Sequence, residues 1–242
     1  MSLLELRGVS KRYGGVQALD EVSFAVEAGS IVGLMGANGA GKTTLFALVA
    51  GNERPSAGDI LWKGDSLVGL RPDQISRRGV ARTFQIVRPF AGLSVLENAA
   101  VAAMFGTRAT RGRAEALDVA HEALRAVGLD SRAEESAGDL TLSGQKRLEI
   151  ARALATGASM LMLDEVMAGL TPAEVERMLE TLRELRERRG LTLLVIEHVM
   201  RALMQLSDRI VVLHLGRRIA DGTPREIAAN DEVTRVYFGE AL

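Results

Sequence analysis

The run Gly36-Ala37-Asn38-Gly39-Ala40-Gly41-Lys42-Thr43-Thr44 constrains this chain more than any other stretch. It follows the apolar segment Ile31-Val32-Gly33-Leu34-Met35 and precedes Leu45-Phe46-Ala47-Leu48-Val49-Ala50. That order reads as strand, glycine-rich loop and helix, with every fixed place of the pattern G-x-x-x-x-G-K-[ST] filled. Glycines let consecutive backbone N–H groups turn inward around phosphate oxygens, and the following helix points its positive end at them. Lys42 reaches the β- and γ-phosphates, and the Thr43 hydroxyl can ligate Mg²⁺. The bland alternative is a glycine-rich turn that binds nothing; the buried strand before it and the helix former run after it argue against that. The stretch is a nucleoside-triphosphate site, with Asn38, Gly39, Ala40, Gly41, Lys42, Thr43 and Thr44 as its loop.

A second segment settles the class of site. Met160-Leu161-Met162-Leu163 predicts a buried strand, and Asp164-Glu165 places two adjacent carboxylates at its end. Strand alternation sends them in different directions, so one can hold Mg²⁺ while the other addresses an attacking water. Leu191 to Ile196 is another buried strand and ends in Glu197-His198, which faces a ligand crevice if the sheet is parallel. Gln85 stands at the end of the strand led by residues 79–84. Tyr13 precedes the alternating strand Val22-Ser23-Phe24-Ala25-Val26 and is either a packing residue or a ring for base stacking.

The remainder is organisation. At 242 residues the chain fits one domain, or one core with an inserted subdomain. Between 86 and 156 the strand signal gives way to helical periodicity, with Leu117, His121, Leu124 and Val127 on one face and Gly128 as its stop. His121 reads there as a half-buried face residue, not a ligand. In Leu140-Thr141-Leu142-Ser143-Gly144-Gln145, a helix begins; Ser143 is either its N-cap or part of an anion site at the helix end. Thr171-Pro172-Ala173-Glu174 is a capping box that launches a long helix with Val175, Met178, Leu179, Leu182 and Leu185 on one face.

Composition excludes more than it selects. The net charge of −1 gives no long-range pull toward nucleic acid or anionic lipid, and aromatics at 4% are too few for a stacking groove. Cysteine is absent, so there is no disulfide framework or thiolate metal site. No signal peptide is expected, and no apolar run approaches the ~20 residues needed to cross a bilayer. Any membrane role is expected to come through a partner.

Taken together, these residues resemble an ABC-type ATPase subunit over essentially the whole chain. The resemblance implies an α/β fold: a P-loop NTPase (RecA-like) core with an antiparallel β-subdomain and an inserted α-helical subdomain. Within a single domain of 1–242, it assigns 1–85 and 157–242 to core and β-subdomain, and 86–156 to the helical subdomain. It implies that two subunits clamp two ATP molecules at their interface. Carried over by position, Tyr13 stacks on adenine and the loop from Gly36 to Thr44, Lys42 included, holds the phosphates and Mg²⁺. Gln85 senses Mg²⁺ and the γ-phosphate, Asp164 holds the metal through water, Glu165 is the general base and His198 contacts the γ-phosphate.

The subfamily narrows on Arg82-Thr83-Phe84-Gln85, Val95-Leu96-Glu97-Asn98, Lys146-Arg147-Leu148-Glu149-Ile150-Ala151-Arg152 and the ending Val236-Tyr237-Phe238-Gly239. These resemble the ATP-binding subunits of branched-chain amino-acid importers; urea-uptake and lipopolysaccharide-export ATPases share much of them. The implied partners are a second ATPase subunit and transmembrane permease subunits contacting the Gln85–Asn98 region, with a solute-binding protein reached indirectly. The implied place is the cytoplasm, on the inner face of the membrane. A soluble mechanical ATPase is the rival from another class, and a non-hydrolysing regulatory subunit a third reading. Two departures stand out. Counted back from Arg147, which keeps the flanking spacing, the family's L-S-G-G-Q falls on Leu140-Thr141-Leu142-Ser143-Gly144, with Ser143 and Gly144 as γ-phosphate donors to the other subunit; slid by two it reads Leu142-Ser143-Gly144-Gln145, one glycine short. Val166 replaces the proline that commonly follows the paired acids, and Thr171 an aspartate.

Overall fold

The computed structural model describes residues 2–83, 89–107 and 112–238. By its internal contacts the chain divides into two compact units, Met1–Pro72 with Thr192–Leu242, and Asp73–Leu191.

The first unit opens with two long strands, β1 (Ser2–Tyr13) and β2 (Val16–Glu27). They pair antiparallel, setting Leu4 against Val26, Leu6 against Phe24 and Val9 against Val22. One face of the alternation is therefore apolar and buried, the arrangement a two-sided strand needs. β3 (Ile31–Met35) is buried along its whole length and runs into the glycine loop and α1 (Lys42–Val49). Leu45, Phe46, Leu48 and Val49 carry α1 into the core, each side chain contributing about 1.5–3 kcal/mol by burial. β4 (Ala57–Trp62) and β5 (Asp65–Ser66) complete an antiparallel sheet ordered β2-β1-β4-β5.

The chain then enters the second unit through α2 (Pro72–Arg77) and β6 (Val80–Arg82). Three helices follow, α3 (Val95–Met104), α4 (Arg113–Ala126) and α5 (Leu142–Ala155), and they pack on one another. The buried stripe of α4 is Ala116, Ala120, Ala123 and Leu124, continued by Val127. Leu117 and His121 flank it half-buried, so the predicted face is rotated by about one position. The reason is size: alanines let α4 approach α3 and α5 closely, and a reading keyed to the larger apolar residues misplaces the seam. β7 (Met160–Asp164) pairs parallel with β6, and α6 (Pro172–Arg189) follows. Thr171 and Glu174 form the expected capping box, and Met178, Leu179, Leu182 and Leu185 are buried.

Returning to the first unit, β8 (Thr192–Ile196) lies parallel to β3 on one side, and β9 (Arg209–His214) lies parallel to it on the other. α7 (Met200–Leu206) connects them and sits tightly on β3, where a Cβ on Gly33 would stand 2.6 Å from Ser207 Oγ. β10 (Arg217–Gly222) adds antiparallel to β9, and α8 (Pro224–Ala228) and α9 (Asp231–Phe238) finish the described chain. Arg209 joins the layers: it pairs with Asp221 and donates to the Ala25 carbonyl on β2 at 3.0 Å. No helix of the described residues is long and apolar enough to cross a membrane.

Candidate nucleotide-binding site

Parallel pairing of β3 and β8 sets Leu34 beside Ile196, so Gly36 and Glu197-His198 leave the sheet at the same end. The glycines at the two ends of the loop, Gly36 and Gly41, are required by space. A Cβ on Gly36 would lie 2.7 Å from the Leu213 carbonyl oxygen. On Gly41, at φ +103°, it would lie 2.6 Å from the Ala18 carbonyl oxygen. The loop is thus drawn down against β9 and β2, and α1 starts where Gly41 offers its first-turn N–H groups no side-chain cap. Uncapped first-turn amides and the positive end of a helix dipole are the features that attract anions.

Lys42 supplies the charge there. Its side chain is buried, and its ammonium donates to the Gly36 carbonyl at 2.6 Å and the Ala37 carbonyl at 3.0 Å. A buried ammonium held by loop carbonyls at an uncapped helix start fits a triphosphate. Asn38, Gly39 and Thr43 are exposed, Thr44 is half-buried and Ala40 is buried. Tyr13, 43% exposed at the end of β1, has the Lys11 ammonium 4.7 Å from its ring centre. His198 is exposed beside a buried Glu197. One neighbour of the loop was not foreseen as such: Tyr237 on α9. Burial pushes its phenol up to about 12, opposed by the Gly36 amide. The hydroxyl oxygen is enclosed and lies toward that amide without reaching hydrogen-bond geometry.

In the second unit, β7 delivers Asp164 fully buried at its end. Arg82 donates to Asp164 Oδ2 at 2.8 Å, and the two side chains are 13% and 4% exposed. The Asp164 amide donates to Thr83 Oγ1 at 3.1 Å, while the Thr83 amide donates to the Met162 carbonyl at 2.9 Å. Glu165 is half-buried and left-handed, at φ +53°. Such a conformation in a non-glycine residue costs about 1–3 kcal/mol. The direction of its carboxylate is therefore set by this turn and not by the strand alternation read from the sequence. The buried Lys146 on α5 donates to the Glu165 carbonyl at 2.6 Å.

The start of α5 differs from one sequence expectation. Its N-cap is Thr141, which accepts from the Gly144 amide at 3.3 Å; Ser143 lies inside the first turn and is buried. Leu142 beside it is 46% exposed. Gln85 lies outside the described residues, as does the first part of the expected Gln85–Asn98 contact region. The described remainder is ordered by Asn98, which is fully buried. It accepts from the Phe90 amide at 2.9 Å and donates to the Phe90 and Ser94 carbonyls at 3.1 and 2.9 Å. Phe90 itself is 47% exposed under the Arg152 guanidinium. Arg82, Lys146 and Asn98 were quoted in the sequence only as parts of motifs. Arg82 had a readable signal, a cation ending a core strand; Lys146 had none.

In each unit taken by itself there is a hard oxygen donor of the kind that suits Mg²⁺, the Thr43 hydroxyl in the first and the Asp164 carboxylate in the second. Among the described residues no group of three or more His, Cys, Asp or Glu converges, so such an ion would draw further ligands from phosphate and water.

A family model described as "ABC transporter" matches residues 19–168, and one described as "Branched-chain amino acid ATP-binding cassette transporter" matches 217–242. The chain is 43% identical to the high-affinity branched-chain amino acid transport ATP-binding protein LivG of Escherichia coli K12, over 99% of this chain and 98% of that one. It is 41% identical, with the same coverage, to BraF of Pseudomonas aeruginosa, which carries the same description. The lipopolysaccharide export ATP-binding protein LptB of Escherichia coli is 34% identical. Among solved structures, the ADP conformation of MJ1267, an ATP-binding cassette of an ABC transporter, superposes with a TM-score of 0.88. Its identity is 26%, over 99% of this chain and 100% of that one. A dimeric post-hydrolysis cassette, MJ0796 with ADP and Pi, superposes at 0.81 with 25% identity, over 92% and 99% of the two chains.

Proposed function

This chain belongs to the ABC transporter ATPase family, and from that premise we propose that it drives an importer of branched-chain or related hydrophobic amino acids. The single observation that carries ATP binding is Lys42 buried at the uncapped start of α1, in a loop whose end glycines, Gly36 and Gly41, admit no side chain. Greater identity to the LivG and BraF proteins than to the lipopolysaccharide-export ATPase supports the choice of solute class.

Phosphoryl transfer needs positioning and charge neutralisation more than covalent help. In this reading Lys42 and the amides of α1 hold the phosphate oxygens, and Tyr13 stacks on the base. Thr43 and Asp164 are the residues that would hold Mg²⁺, with Gln85 near it; when bound, the ion neutralises charge on the β- and γ-phosphate oxygens. Glu165 accepts a proton from the attacking water, and His198 contacts the γ-phosphate. The start of α5, with Ser143 and Gly144, is presented to the nucleotide of a second ATPase subunit. ATP binding then closes the pair and hydrolysis releases it. Transmembrane permeases receive that motion at the region ending in Asn98, which places the protein on the cytoplasmic face of the membrane.

The test is Glu165→Gln. Phosphate release should fall by at least ~10²–10³, the size of loss typical when one preorganised catalytic group is removed. Gel filtration with ATP and Mg²⁺ should show a stable dimer. Cells carrying only this variant should fail to accumulate labelled leucine. Unchanged hydrolysis removes Glu165 from the mechanism.

A further inference from the structure

The peptide group that follows the metal-binding acid is held in an unusual way. Glu165 sits in the left-handed region, where side chains other than glycine are disfavoured, and its carbonyl points at the Lys146 ammonium 2.6 Å away. Lys146 is only 5% exposed, so its charge is not shared with bulk water. An ammonium so enclosed favours a backbone conformation that turns a carbonyl dipole toward it. On the other side, Asp164 is pinned through its amide to Thr83. Glu165 is therefore held on both sides, and one of these contacts comes from α5, the helix capped by Thr141.

We infer that Lys146 is a positioning residue: through the Glu165 carbonyl it keeps the Glu165 carboxylate aimed at the attacking water. This rests on the reading of Glu165 as general base and deepens it. It also gives the start of α5 a second duty. The segment expected to touch the other subunit's triphosphate is one turn from the lysine that sets this subunit's own base. Movement of that helix tip on closure would be felt by Glu165 within the same chain, without a separate relay. Val166 is packed where a ring would otherwise stiffen the turn, and the Glu165 carbonyl accepts from the Ala168 amide at 3.3 Å as well as from Lys146, whose bond is the shorter and carries a full charge.

The experiment compares Lys146→Met, Lys146→Arg, Glu165→Gln and the double variant Lys146→Met/Glu165→Gln, in full-length protein. Lys146→Met should lower kcat ~10–100-fold, the penalty expected of a reacting group misplaced by about 1 Å. KM for ATP and the affinity for a fluorescent ATP analogue should stay within about twofold. Lys146→Arg, which keeps a donor, should recover part of the loss. Adding Lys146→Met to Glu165→Gln should cost nothing more, since residues acting through one group are not additive. A Lys146→Met kcat within twofold of the unmodified protein, beside an inactive Glu165→Gln, overturns the inference and leaves the base assignment standing. So do fold-losses that multiply in the double variant. An active Glu165→Gln overturns the base assignment itself. Should Lys146→Met lack a cooperative melt, Lys146→Gln replaces it, and a full kcat in that variant counts against the inference equally.

Discussion

A carboxylate buried without a counter-ion is among the costliest groups a fold can hold, and Asp164 avoids that condition through Arg82. The pair is nearly dry on both sides, so it differs in kind from the exposed pairs such as Arg188 with Glu184, which contribute about 0–1 kcal/mol. Breaking a buried pair by removing one member costs more than the pair itself contributes, because the other charge is stranded. Arg82→Met is expected to destabilise by about 3–5 kcal/mol in urea unfolding. Arg82→Met combined with Asp164→Asn should recover part of that, because a neutral amide has far less to lose. A cost under about 1 kcal/mol for Arg82→Met would mean that Asp164 finds compensation elsewhere.

At the scale of elements, the fold is organised by where helices are allowed to begin and strands to stop. α6 begins at a proline behind a threonine cap, and α1 begins at Gly41 with no side-chain cap, so its first-turn amides stay open. Asn98 does a comparable task for the loop before α3, closing residues 90–94 with its amide. Asn98→Ala should cost about 1–3 kcal/mol through backbone groups left unpaired. It should also raise hydrogen exchange across 90–94 specifically; uniform exchange would show the loop to be held by something else. These starts and stops account for what the sequence disclosed. The phosphate loop, the buried strands β3, β7 and β8, and the cap at Thr171 were legible because each is written in contiguous residues. The cap at Thr141, the alanine seam of α4 and the turn at Glu165 were not. The first depends on which of two neighbouring hydroxyls sits outside the helix, the second on small residues that periodicity weighs lightly. The third depends on a lysine 19 residues away, and no local pattern carries that information.

For the molecule as a whole, resistance to acid should track one junction in particular. Burial alone would raise the Asp221 carboxyl, but hydrogen bonds from Arg209 and Arg218 outweigh it and hold the group below its ordinary 3.8. A depressed carboxyl stabilises the fold above its unfolded value and loses that contribution as pH falls through the lower folded value. Asp221→Asn should therefore unfold at lower urea than the unmodified protein at pH 7, and the gap should narrow below pH about 4. A gap that stays constant with pH would remove charge from the account of that junction. The same region of the chain carries α9, whose Tyr237 leans on the first glycine of the phosphate loop. Purification handles and fluorescent fusions are thus poorly placed after Leu242: their bulk would load α9, which carries Tyr237 beside Gly36, and a kinetic constant measured on such a fusion would report the handle as well as the enzyme.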